Sequence, residues 1–159
     1  MMGLNDGAYG ALIPYIESYY NLSYTIVSLI FLSPFVGYVI AALCNNQIHN
    51  RFGQRGVAVL SAASKILAYT IICVHPPYPA LVVVYGFAGF GIGLADAAWN
   101  AWIGDMRNAN QILGILHACY GLGATLAPLI ATSMITKGSL PWWTYYYFMV
   151  SSIHTICST

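Results

Sequence analysis

Charge is what this sequence has least of. Four acidic residues and five Lys or Arg make up 6% of its 159 residues, against about 25% in soluble domains, which excludes an ordinary soluble domain with a solvated charged surface. The net charge of +1 gives no basic field, so no nucleic-acid partner is expected. Cysteine is sparse too: Cys44, Cys73, Cys119 and Cys157 lie far apart in apolar runs, without C-x-x-C or a histidine at ligand spacing. That pattern excludes the usual metal and redox motifs, and no metal, cofactor or enzymatic activity is expected. The first residues hold no basic segment ahead of an apolar run, so no cleavable leader is expected. Polar Asn5 and Asp6 arrive at once, and the chain opens inside a helix.

What is present is apolar surface. Some 59% of residues are hydrophobic, and the pattern is that of a multi-pass membrane protein embedded in a lipid bilayer. Six apolar stretches, over about 3–20, 24–44, 57–74, 80–103, 112–135 and 142–159, predict an all-α bundle of six transmembrane helices. Short turns join them. The polar stretch 49–56 is expected to be a compact loop, and 75–79, with three prolines, a turn. The loops after the second and fourth spans hold Arg51, Arg55 and Arg107, whereas the opposite side holds only Lys137. By the positive-inside rule the arginine loops and both termini are expected in the cytoplasm, in the plasma membrane or an internal one.

The fourth span carries the first functional candidate. An Asp inside a membrane helix costs several kcal/mol facing lipid, about 2.5–3.5 on insertion scales, so Asp96 is expected to face the bundle interior or a wet cavity. Helical spacing puts Trp99, Asn100 and Ile103 on its face, while Gly89, Gly93 and Ala97 form a small-residue strip for close helix packing. The first span repeats the pattern. Residues 3–13 can be written over 93–103 with Gly, Leu, Asp, Ile and two Ala positions coinciding, which places Asp6 opposite Asp96. Two inverted three-helix repeats follow, about 1–75 and 79–159, within one bundle over 1–159. Inverted repeats of this kind build each half of a major facilitator transporter. Both acids are expected deep in the membrane, roughly 21–25 Å from the outer surface. Burial or a nearby like charge lets such carboxyls exchange protons near neutral pH, and Asp6 and Asp96 are the expected proton-coupling pair.

Other polar residues leave two readings each. Asn5 and Asn100 are candidates for solute binding or for interhelical glue. Trp99 is a candidate to stack on a solute or to pack, and His117 to line the cavity or to sit satisfied in structure.

Residues 5–14 and 91–100 resemble the first and fourth helices of the fucose:proton symporter branch of the major facilitator superfamily. Residues 3–20, 75–79 and 96–104 resemble fungal transporters of the bypass-of-stop-codon group. The resemblance implies a secondary transporter for a small polar solute such as a sugar, by proton symport. It assigns proton- and sugar-linked carboxylates to Asp6 and Asp96 and sugar binding to Asn100, although Asp96 stands where the family has Glu. The stretch 46–56 resembles the superfamily's cytoplasmic loop signature at Arg51, Gly53 and Arg55, with Asn50 in place of the signature's acid. Residues 121–128 resemble the family's glycine-and-proline packing motif. Family transporters have twelve spans, so the resemblance implies that this chain is the N-terminal half, completed by a missing C-terminal half or by a second copy. Two other classes fit parts of the pattern: a truncated, non-transporting partner or sensor, and an intramembrane aspartyl protease. The protease's G-x-G-D motif is broken here by Leu94 and Ala95.

Overall fold

The computed structural model describes residues 2–158, with side chains described over 2–153. Cys157 therefore falls outside the described side chains. The regular elements among the described residues are all helical: α1 (Met2–Tyr20), the single turn α2 (Tyr24–Val27), α3 (Leu29–Cys73), α4 (Tyr78–Gly104), α5 (Ala109–Thr136) and α6 (Thr144–Ser158). In a bilayer, a helix is the economical way to satisfy every backbone N–H and C=O within one segment. By length and composition, 24–73, α4 and α5 can cross a membrane. Asn5, Asp6, Pro14 and Glu17 dilute α1, and α6 has 15 residues.

The 50 residues from Tyr24 to Cys73 would extend about 75 Å if straight, more than twice the hydrocarbon thickness of roughly 30 Å. They are two arms. Gly53 breaks the helix at φ 66°, ψ −177°, a conformation essentially reserved for glycine. The packing of α4 shows the reversal: Gly89 lies against Pro34 and Gly91 against Ser61, although Pro34 and Ser61 would stand about 40 Å apart on a straight helix. The expected loop at 49–56 is thus corrected. It is helical on both sides of Gly53, since one left-handed residue turns the chain and the flanking residues keep their helical hydrogen bonds.

The arms pack in pairs. α1 lies along α5, the first arm of α3 along α4, and the second arm against α6, where the Tyr69 and Tyr146 rings stand 5.7 Å apart. Exchanging span one with four and span two with five turns the first pairing into the second. Close approach depends on glycine in both pairs: a Cβ on Gly3 would stand 2.0 Å from the Tyr120 carbonyl oxygen, and one on Gly89 would stand 2.1 Å from that of Pro34. The core between the pairs is aromatic and aliphatic, with Leu12, Ile16, Tyr69, Ile72, Tyr85, Tyr145 and Tyr146 fully enclosed. At one end Trp143 stacks on His75 at 4.5 Å beside Tyr19, and the Tyr20 hydroxyl donates to the Pro76 carbonyl at 2.5 Å. Such a cluster suits a membrane interface, where amphipathic rings sit at headgroup level.

Candidate functional site

Asp6 and Asp96 both reach one cavity of about 400 Å³, lined also by Tyr38, Trp99, His117 and Tyr120. Four helical arms build it. α1 supplies Asp6, the first arm of α3 Tyr38, α4 Asp96 and Trp99, and α5 His117 and Tyr120. None of the described lining residues is Lys or Arg, and the side-chain hydrogen bonds to the two carboxyl groups come from amides and phenols.

Those donors are arranged alike at both acids. Asp6 Oδ1 accepts from the Asn5 amide at 3.0 Å and Oδ2 from the Tyr120 hydroxyl at 2.8 Å. Asp96 Oδ1 accepts from the Asn100 amide at 2.9 Å and Oδ2 from the Tyr38 hydroxyl at 2.5 Å. In each case the amide comes from the acid's own helix and the phenol from the helix packed beside it. Charge-assisted bonds of this kind are short and roughly twice as strong as neutral ones. The arrangement gives each carboxyl group one amide and one phenol donor at the cavity surface.

The structure sorts the expected site residues. Asp6, Asp96, Trp99 and His117 come together at the cavity. Trp99 is 44% exposed, with its ring edge-to-face with Trp102 at 5.6 Å, so packing leaves much of it open to a solute. Asn100 points its amide back to Asp96, donating to the backbone oxygen at 2.8 Å as well as to the carboxylate. Asn5 is turned away from the cavity and is 1% exposed. Its amide donates to Tyr9 at 2.6 Å and its oxygen accepts from Tyr69 at 2.8 Å, which makes it part of the core. Of the cytoplasmic-loop candidates, none lines the cavity. Gly53 forms the break, Arg51 lies over the Phe52 ring at 5.7 Å, Asn50 makes a long 3.4 Å contact to Asn46, and Arg55 is exposed.

Sequence reasoning missed Tyr38 and Tyr120. The only signal is a faint one: 38–42 and 120–124 read Tyr-Val-Ile-Ala-Ala and Tyr-Gly-Leu-Gly-Ala, sharing the tyrosine and the last alanine.

Apolar helices of membrane-crossing length, packed around a cavity that two acids face, define an integral membrane protein with an intramembrane polar site. The chain belongs to the Major Facilitator Superfamily, whose family profile matches residues 1–158. It is 30% identical over 151 residues to Bypass of stop codon protein 6 of Saccharomyces cerevisiae, covering 94% of this chain and 30% of that protein. It is 26% identical over 120 residues to the Trichothecene efflux pump TRI12 of Fusarium sporotrichioides, covering 74% of this chain and 20% of that protein. The chain thus spans under a third of the length of either curated relative. No solved structure matches it at a significant level.

Proposed function

We propose that this chain forms one half of a secondary transporter that moves a small polar solute through the cavity, with Asp6 and Asp96 as the proton-coupling groups. The observation that carries the reading is the meeting of two carboxylates in one cavity, with no Lys or Arg among its described lining residues. Intramembrane acids are functional by default because their desolvation is costly. Trp99 and His117 are the solute-facing side chains, and Asn100 acts through Asp96. A sugar taken up by proton symport is the solute and direction that the resemblance to the fucose:proton symporter branch supports. Export is the second reading, favoured by the efflux pump among the relatives. In this scheme repeat one is about 1–75 and repeat two about 79–159. The arginine-bearing ends, with Asn50, Arg51, Gly53 and Arg55, form the cytoplasmic gate, and both termini are cytoplasmic.

The test begins with the native product in membranes, detected by an antibody against 49–56. A band well above 17.3 kDa, on the scale of the relatives, assigns the missing half to the same polypeptide. A band at that mass assigns it to a second copy, which cross-linking would then capture. The product is next reconstituted in vesicles holding a pH-sensitive dye, and a panel of monosaccharides is added on either side. Solute-driven proton movement is expected, and Asp96→Asn should abolish it while the protein remains in the membrane. Undiminished coupled flux in both Asp96→Asn and Asp6→Asn would overturn the reading.

A further inference from the structure

We infer that Tyr38 and Tyr120 are matched switching donors, each shared between a carboxylate and the solute, so that protonation of the acid frees a phenol for the solute. This rests on the reading of Asp6 and Asp96 as proton-coupling groups and supplies the link between proton and solute.

The geometry has three parts. First, each phenol belongs to a different helix from its acid, so each acid–phenol bond crosses a helix pair: α3 to α4 at Tyr38–Asp96, α1 to α5 at Tyr120–Asp6. Second, both pairs obey the exchange that relates the two repeats. Gly3 packs on Tyr120 three residues before Asp6, and Gly93 packs on Tyr38 three residues before Asp96. The backbones on which the phenols stand therefore lie close against the acid-bearing helices, with glycine at the points of contact. The phenol torsion is the free coordinate. Third, both phenols line the cavity, so the same hydroxyl that reaches a carboxylate is within reach of a bound molecule.

The chemistry then follows from donor and acceptor counts. An ionised carboxylate accepts only, and it holds the phenol's hydrogen in a charge-assisted bond. When a proton from cavity water adds to the carboxylate, the neutral acid becomes a donor and a weaker acceptor. The phenol keeps its own hydrogen throughout. It turns that hydrogen toward an acceptor in the cavity, a hydroxyl or carbonyl oxygen of the solute. Proton binding therefore favours solute binding, and linkage makes the converse true by the same factor. The ligand class is a small neutral molecule carrying acceptor oxygens. The other titratable or charged groups near the acids among the described residues are His117 on α5, Lys65 on the second arm of α3, whose stem lies against Gly91 of α4, and, through Asn5, Tyr9 on α1 and Tyr69 on the second arm of α3. His117 belongs to no acid–phenol pair among the described hydrogen bonds, and Tyr9 and Tyr69 are sealed in the core.

Infrared difference spectroscopy of the membrane-reconstituted protein, stepped from alkaline to acid pH, tests this without knowing the solute. Protonated-carboxyl bands should appear together with a change in the tyrosine C–O band. Tyr38→Phe and Tyr120→Phe should each remove part of the tyrosine change. Each should also shift the frequency of one protonated-carboxyl band, the consequence of losing one hydrogen bond to that carboxyl. Carboxyl bands that Asp6→Asn and Asp96→Asn abolish, with no accompanying tyrosine change in the wild type, would overturn the switching role and leave the proton-coupling reading standing. Carboxyl bands unaffected by either Asp→Asn substitution would overturn that reading itself, and the switch with it. A His117→Gln control separates imidazole signals from both.

Discussion

The Tyr69 hydroxyl donates to Asn5 Oδ1 at 2.8 Å, joining the second arm of α3 to α1. Both residues are buried, with Asn5 1% and Tyr69 1% exposed, and the Asn5 amide is spent on Asp6 and Tyr9. Asn5 thereby connects the cavity acid to the core without facing the cavity itself. A buried donor left without its partner costs about 1–3 kcal/mol. Asn5→Ala is therefore expected to lower the thermal stability of the purified protein, because it orphans Tyr69. Tyr69→Phe in the same background should recover part of the loss, since it deletes the orphaned hydroxyl. Melting curves of the two single variants and the double variant give the coupling directly. Additive effects would mean that the bond contributes nothing.

The helix pairs make a sharper forecast about glycine. A methyl group on Gly3 or Gly89 would collide with a backbone oxygen of the neighbouring helix, and backbone cannot turn aside as a side chain does. Gly3→Ala and Gly89→Ala are expected to yield little monodisperse protein by size-exclusion chromatography of detergent extracts. Gly10, Gly114 and Gly121 have nothing within 4 Å of where an added methyl would stand. Alanine there should be neutral or stabilising by several tenths of a kcal/mol, up to about 1. Equal yields across the two sets would mean that the close packing of α1 on α5 and of α3 on α4 is wrong.

Asp6 and Asp96 are legible in the sequence because a charge in an apolar run needs an explanation, and the structure brings both to one cavity. The likeness of 3–13 to 93–103 is legible in the sequence, and in the structure Gly3 lies against Tyr120 and Gly93 against Tyr38. Between 38–42 and 120–124 the likeness is reduced to Tyr38 with Tyr120 and one alanine, too little to be read from the sequence. Asn5 and Asn100 look interchangeable as polar residues beside an acid. Their fates differ because Asn5 faces Tyr69 across the core, and sequence spacing along one helix carries no information about the helix opposite. The stretch 49–56 misleads for a local reason: its polar composition suits a loop or a solvated helix end equally, and only the backbone of Gly53 decides between them.

Gly53 can be tested on the same ground. It stands at φ 66° with nothing within 4 Å of an added Cβ, so a substitution there is penalised by the backbone and not by crowding. Strained backbone of this kind costs of order 1–3 kcal/mol. Gly53→Ala is expected to destabilise the protein by that amount in thermal unfolding. Gly104→Ala, at the end of α4 with nothing within 4 Å of an added Cβ and no positive φ, serves as the control. No difference between the two variants would mean that the reversal of α3 does not depend on a left-handed residue.

Cysteine offers a direct probe of whether the cavity is wet. Cys119 lines the cavity beside Tyr120 and is exposed, whereas Cys73 is buried in the core. The thiolate is the nucleophile that adds to a maleimide, and it forms in water and not in lipid. A membrane-impermeant maleimide applied to open membrane fragments of a Cys157→Ser variant is expected to modify Cys119 in preference to Cys73, read by mass spectrometry of the digested protein. Cys44, half-buried on the first arm of α3, should react slowly. If the cavity holds water, labelling of Cys119 should fall when Tyr120 is replaced by Trp, because the larger ring fills the space between the thiol and the acids. If Cys119 reacts no faster than Cys73, the two carboxylates do not share an aqueous cavity, and a proton could reach them only through some other route.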